Sequence, residues 1–215
     1  KYIYRSIDNF SATFNYQYIN LNITGIKNVK KESIESKLHK YFKSSIFLLP
    51  LEKINEDIRD NNWIKSVKLK TNYKDTLNIN IIEHKPFAIY SYNKKNFFID
   101  TNGKIFDQVN NNHNLDLDLL VFEGNLSNLN AKSIINVLQN LNFQKKFKIK
   151  KLIFINKRRW NLLINNDNVL LLSENNPEKS LENFIKIEKN LSKAELNNIK
   201  IFDLRNTSKT LLEYY

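Results

Sequence analysis

The sequence predicts an α+β fold in two parts: a small β-α-α-β-β unit, then a β-rich block with an antiparallel sheet and two or more helices. Three observations carry this. Short segments alternate apolar and polar residues, the period-2 mark of half-buried strands. Two amphipathic stretches at helical spacing fall between the first such segment and the second. After Pro86 a new series of strand-like segments begins, and it contains Asn102-Gly103, a strong short-range hairpin signal.

Residues 1–16 show no clear period and read as a lead-in. Ile19, Leu21 and Ile23 then alternate with Asn20, Asn22 and Thr24, and Gly25 stops the strand. Lys31 to Lys43 places Ile34, Leu38, Tyr41 and Phe42 at helical spacing. Pro50 suits the entry of a second helix, where its missing N–H costs nothing, and Leu51, Ile54 and Ile58 form that helix's stripe. Trp63, Val67 and Leu69 share one strand face; Leu77, Ile79 and Ile81 share the next. Asn72 to Asp75 supplies the turn between them.

Pro86 closes the first unit by removing a ladder donor and pushing Lys85 toward an extended conformation. Ala88–Tyr92 and Phe97–Asp100 read as strands, with Lys104 to Phe106 returning after the Asn-Gly turn. Asn110-Asn111-Asn112 marks a loop, and Leu119–Phe122 a short strand ended by Gly124. Ala131–Leu141 is expected to be helical, with Ile134, Ile135, Leu138 and Leu141 as its stripe. Lys148–Phe154, Arg159–Ile164 and Val169–Leu172 read as strands, the last two joined at Asn165 to Asn168. A helix starts near Ser180, Ile199–Leu204 is a strand, and Thr210–Tyr215 is a candidate last strand. The expected organisation is a lead-in at 1–16, a first domain at 17–85 and a second at 86–215.

Composition bounds the function. Apolar residues make up 41% of 215, enough for real cores, and 12% aromatics argue against disorder. The wealth of Lys, Asn and Ile, with three Gly and no Met, is read as codon bias from an AT-rich genome. That reading weakens the meaning of the net charge of +12. The one dense basic cluster is Lys145, Lys146, Lys148, Lys150, Lys151, Lys157, Arg158 and Arg159. It could be a solvated face, a protein or lipid contact, or a nucleic-acid patch, and no nucleic acid is expected. Without cysteine there is no disulfide framework and no thiolate metal site. No run approaches the ~20 apolar residues of a membrane span. The chain starts at Lys1 without an initiator Met, so it is expected to be an excised fragment with a targeting or membrane segment before it.

The search for catalytic chemistry is mostly negative. His39, His84 and His113 are far apart, and none sits in an HExxH pattern. Three dispersed glycines cannot build a phosphate-cradling loop, and there is no GxSxG. Acidic pairs such as Asp116 with Asp118 or Glu56 with Asp57 are commonplace. The chain is therefore expected not to be an enzyme, with no cofactor and no metal.

Three constellations remain, each with two readings. Glu83 to Ala88 is either a plain linker anchored by Phe87 or a hinge, made of Lys85, Pro86 and Phe87, that sets a domain angle. Lys157 to Leu162 is either a solvated turn followed by a core aromatic, or a site where arginines grip acidic groups beside Trp160. Asp203 through Tyr215 is either a simple closing strand or a sheet edge that accepts a partner strand.

These residues carry a resemblance. "INLNITGIKNVKKESI" followed by "WIKSVKLKTNYKDTLNINIIEHKPFAIY" resembles the POTRA segment of the FtsQ/DivIB cell-division family. "FFIDTNGKIF", "KRRWNLLINNDNVLLL" and "IFDLRNTSK" are similar to that family's β domain, in order and spacing, so the likeness spans about residues 17 to 210. It implies a non-enzymatic divisome scaffold: a single-span bacterial inner-membrane protein whose POTRA and β domains lie in the periplasm at the septum. It implies FtsB- and FtsL-like bitopic partners, with a partner strand added to the last β-strand, and FtsK- or FtsW-like proteins met through the POTRA domain. By position, Arg205 and Arg159 would pair with partner carboxylates, with Trp160 beside Arg159. Asn206, Ser208, Thr210 and Leu212 would fall in the partner-binding strand, and Tyr214 would be its C-terminal aromatic. Asn206 stands where the family has an aromatic and Lys209 where it has a small residue. The alternative is a POTRA-type chaperone or transport module of outer-membrane assembly.

Overall fold

Residues 2–13, expected to be an irregular lead-in, are a helix, α1 (Tyr2–Thr13), in a computed structural model that describes residues 2–109, 119–164 and 167–215. The period is present: Ile3, Ile7, Phe10 and Phe14 fall at i, i+4, i+7 and i+11, one helix face. Then follow β1 (Asn20–Thr24), α2 (Lys31–Leu38) running into a 3₁₀ turn at His39–Tyr41, α3 (Leu51–Arg59), β2 (Ile64–Thr71) and β3 (Thr76–Glu83). The described residues divide into two units at Lys85 and Pro86.

In the first unit the strand order is β1-β3-β2, with β1 parallel and β2 antiparallel to the central β3. Leu77, Ile79 and Ile81 of β3 bury one face against Ile34, Leu38, Ile54 and Ile58 of the helices. A bulge between Ile64 and Ser66 shifts the strand's phase, so Trp63 and Ile64 are both buried where simple alternation would bury one. The Asn72 side chain builds the β2–β3 turn, its Oδ1 accepting the N–H groups of Lys74, Asp75 and Thr76 at 2.9 Å each.

The second unit contains β4 (Ala88–Tyr92), β5 (Lys95–Ile99), β6 (Ile105–Gln108), β7 (Val121–Glu123), α4 (Ser127–Asn140), α5 (Phe143–Lys146) and β8 (Ile149–Ile155). It continues with β9 (Arg159–Ile164), β10 (Asn168–Leu172), α6 (Pro177–Glu188), α7 (Lys193–Asn198), β11 (Ile199–Leu204) and β12 (Leu211–Tyr214). One sheet runs β12-β11-β10-β9-β8-β7-β4-β5-β6. It is mainly antiparallel, but β4–β7, β7–β8 and β10–β11 are parallel. A parallel neighbour requires a crossover, and α4–α5 and α6–α7 provide two of them. The helices cover one sheet face, and a chain of rings, Phe143, Phe147, Phe184 and Phe202, fills the space beneath.

The hairpins differ from expectation in a physical detail. Asn102-Gly103 does not form a two-residue turn, because only Gly103 has a positive φ, at 76°. The turn runs Asp100–Gly103, and Asp100 Oδ1 accepts the N–H groups of Asn102 and Lys104. The two-residue turn of the primed type is Asn93-Lys94, with φ of 49° and 61°. Helix α7 opens on a capping box between Ser192 and Glu195 that the hydrophobic pattern does not reveal. The Asn110-Asn111-Asn112 loop, His113, Asp116 and Asp118, and Asn165-Asn166 lie outside the described residues.

Candidate partner-binding edge

Strand β12 ends the nine-stranded sheet and, among the described residues, pairs only with β11. The register sets Leu212 opposite Phe202 and Leu211 opposite Asp203. Leu212 therefore points toward the core, where it packs, while Leu211, Glu213 and Tyr214 are exposed. An edge strand presents one row of N–H and C=O groups that its own sheet does not use.

The loop from Leu204 to β12 is tied down from below. Ser180 Oγ donates to the Leu204 carbonyl at 2.8 Å, and Asn183 Nδ2 to the Thr207 carbonyl at 2.7 Å. Asn206 Oδ1 accepts the Ser208 N–H at 2.9 Å, a side-chain-closed turn. Asp203, Arg205, Asn206, Lys209 and Leu211 together line a shallow concavity of about 180 Å³. Thr210 is half-buried at its end and Ser208 is exposed.

Arg205 already has a partner in its own chain. Its Nε donates to Asp203 Oδ1 at 2.8 Å and a second nitrogen to Oδ2, a bidentate fork. Hydrogen bonds from this guanidinium outweigh partial burial and hold the Asp203 carboxyl below the usual carboxylate range, with a smaller pull from Arg159. The hydrogen-bonded pair is Asp203 with Arg205, and Arg159 adds only to the field at Asp203. A guanidinium carries five donors, so the fork leaves Arg205 able to meet a second carboxylate.

On β9 the alternation separates Arg159 from Trp160. Trp160 is 5% exposed, with its ring 4.5 Å from Phe154 and edge-on to Phe122 at 5.6 Å. It packs in the core, because the register turns it toward the helices. Arg159 and Asn161 point to the opposite face, where Arg159 Nη1 and Asn161 Oδ1 are buried without a hydrogen-bond partner. Around them Ile153, Ile155, Leu163, Val169, Leu171 and Ile201 are only half-buried.

Lys85 ends the first unit and is exposed; Pro86 and Phe87 open the second. Phe87 donates its N–H to the Ile99 carbonyl at 2.8 Å and packs on the second core. The basic cluster is dispersed by strand alternation and partly paired: Lys150 with Asp167, Lys151 with Glu123 and Arg158 with Glu174.

The family described as cell division protein FtsQ/DivIB, C-terminal, matches residues 88–205, and the FtsQ-type POTRA domain matches residues 19–84. The chain belongs to the FtsQ/DivIB cell-division family. Among curated relatives, the cell division protein FtsQ of Rickettsia bellii is 28% identical over 218 residues, all of this chain and 78% of its own. That of Rickettsia conorii is also 28% identical, with the same coverage. That of Zymomonas mobilis is 26% identical over 186 residues, 86% of this chain and 58% of its own. The FtsQ-type match covers β1 to β3, and the β-domain match ends at Arg205, before β12. Asn161 was not singled out by sequence; its signal is a polar residue inside an aliphatic strand, two positions from Arg159.

Proposed function

We propose that this chain is the periplasmic part of a single-span inner-membrane divisome scaffold, without enzymatic activity. FtsB- and FtsL-type bitopic partners bind the second unit by adding a strand to β12, and the POTRA unit serves recruitment, meeting FtsK- or FtsW-like proteins. The observation that supports this best is the position of β12 at the sheet edge, where Leu211 lies opposite Asp203 of the Asp203–Arg205 pair. Main-chain bonds to an edge give affinity whatever the side chains, which suits a family whose sequences drift. The cations speed encounter with an acidic partner. Lys85, Pro86 and Phe87 act as the hinge between recruitment and binding.

Of two adjacent strand residues, one turns its N–H away from the sheet. Of Leu211→Pro and Leu212→Pro, one therefore removes an outward donor while sparing the ladder to β11. That variant, and Arg205→Glu, are expected to lose pull-down of the FtsB and FtsL homologues while keeping a native circular dichroism melt. If both proline variants and Arg205→Glu capture the partners normally, the edge-strand reading is wrong.

A further inference from the structure

The first unit has an apolar surface that partner binding at β12 does not use. Helix α1 exposes Ile3 (76%) and Phe10 (51%), and Phe14 (57%), just past its end, extends their stripe. The stripe continues through a row of rings: the Phe10 centroid lies 4.7 Å from that of Phe14 and 6.1 Å from that of Tyr16, and Tyr16 lies 5.5 Å from Phe47, itself half exposed. Among the described residues, α1 is fastened at its C-terminal half, through the Ser11 and Ser45 hydroxyls at 2.7 Å and the Tyr16 N–H to the Ser11 carbonyl. Residues 2–6 are exposed throughout. A 12-residue helix held at one end is marginal in water. Something that takes its apolar stripe would complete it.

We propose that this stripe, with Tyr16 and Phe47, lies on an anionic lipid surface as an interfacial helix. The stripe is apolar and aromatic, while α1 carries only Arg5 and Asp8 as charges, both off the stripe. An apolar stripe opposite a polar face can bury at the headgroup boundary, where tyrosines also settle, and here the attraction to anionic lipid must come from the rest of the unit. Residues 42–47 run beside Tyr16 and Tyr18 and add Phe42, with Lys43 Nζ 5.9 Å from its ring centroid. The charge of the unit selects this occupant. Residues 1–85 hold 15 Lys and Arg against 9 Asp and Glu. An excess of six cations repels a second copy and attracts anionic headgroups. This contact lies in the other unit from β12 and needs no membrane span, so it stands or falls apart from the partner reading.

The test uses the 215-residue chain as it is. Co-sedimentation with phosphatidylglycerol–phosphatidylethanolamine vesicles should exceed that with pure phosphatidylcholine vesicles and weaken as salt rises. Phe10→Ser with Phe14→Ser should lower binding by about tenfold or more, as expected for two rings withdrawn from an apolar phase. Arg205→Glu should leave it unchanged. Because both rings are exposed, the double variant should keep its melting temperature. In Phe10→Trp, vesicles should shift the indole emission to the blue. No binding to the anionic vesicles, or equal binding by the double serine variant, overturns the proposal. So does a dimer in sedimentation velocity that the double variant dissolves, which would assign the stripe to a second copy.

Discussion

The two sheets of this protein each bury one face under helices, but their other faces are built from opposite chemistry. In the POTRA unit the open face is an amide ladder. Asn22 Nδ2 meets Asn78 Oδ1 at 3.2 Å, Asn80 Nδ2 meets the Thr24 hydroxyl at 3.0 Å, and Lys68 and Lys70 flank them. These side chains hydrogen-bond to one another across the strands, so the face carries partners of its own. In the β unit the open face is a half-buried field of Ile, Leu and Val that encloses two buried, unpartnered polar atoms, on Arg159 and Asn161. Native structures leave few such atoms, and each one asks for an explanation. The contrast fits the partner role proposed for the second unit, whose open face is apolar and holds polar atoms that its own chain leaves unpartnered.

The largest effect should come from testing whether the two units stand alone. Phe184 is fully buried among Phe143, Phe147 and Phe202. Phe184→Ala should cost about 3–5 kcal/mol by loss of packing and the cavity left behind. That loss should appear in the β unit, with hydrogen exchange of the β1–β3 amides unchanged. Equal loss of protection in both sheets would mean that the units fold as one body.

A smaller effect sits at the end of the POTRA unit. Glu83 accepts the N–H groups of Lys27 at 2.7 Å and of Asn28 and Val29 at 3.0 Å, and the Asn28 side-chain amide at 2.9 Å. Partial burial pushes its carboxyl up, but these donors together outweigh it and the net shift is downward from the usual 4.5. A depressed folded value stabilises the unit fully above 4.5, and the gain is lost as pH falls through the folded value. Glu83→Gln should lower the urea midpoint by the equivalent of about 1.5–3 kcal/mol near neutral pH, the range for hydrogen bonds to a charged group. The difference from the unmodified protein should shrink in acid. A constant difference down to low pH would assign the effect to shape rather than charge.

Much of this was legible from residues alone. Alternation at Ile19 to Ile23 and at Leu77 to Ile81 located β1 and β3, and Asn-containing turns marked the β2–β3 and β5–β6 connections. What sequence left open was long-range or depended on face. The parallel pairing of β1 with β3 joins residues more than fifty positions apart, and nothing local encodes it. Trp160 and Arg159 are neighbours whose roles depend on which side of β9 meets the helices. Helix α1 had its period in Ile3, Ile7, Phe10 and Phe14, but a stripe left in the open does not read as a core. At the candidate site, the Arg205–Asp203 fork follows from i, i+2 spacing only once β11 is known to end between them.

The smallest effect is the sharpest test of the two open faces, because the same substitution should act with opposite sign on each. Asn161→Leu on β9 removes a buried Oδ1 that has no partner and adds apolar area to an aliphatic field. Relief of an unsatisfied buried group is worth about 1 kcal/mol, so the isolated chain should become more stable. Asn78→Leu on β3 breaks the amide contact with Asn22 and exposes a leucine to water. Exposed substitutions of this kind stay within about 0.5 kcal/mol, and here the sign should be unfavourable. Urea midpoints of the two variants measure both. A gain at Asn161 paired with weaker partner capture would fit a partner that supplies the missing donor. A loss at Asn161 as large as a broken buried hydrogen bond would show that Asn161 is satisfied within the chain, and the contrast between the faces would fail.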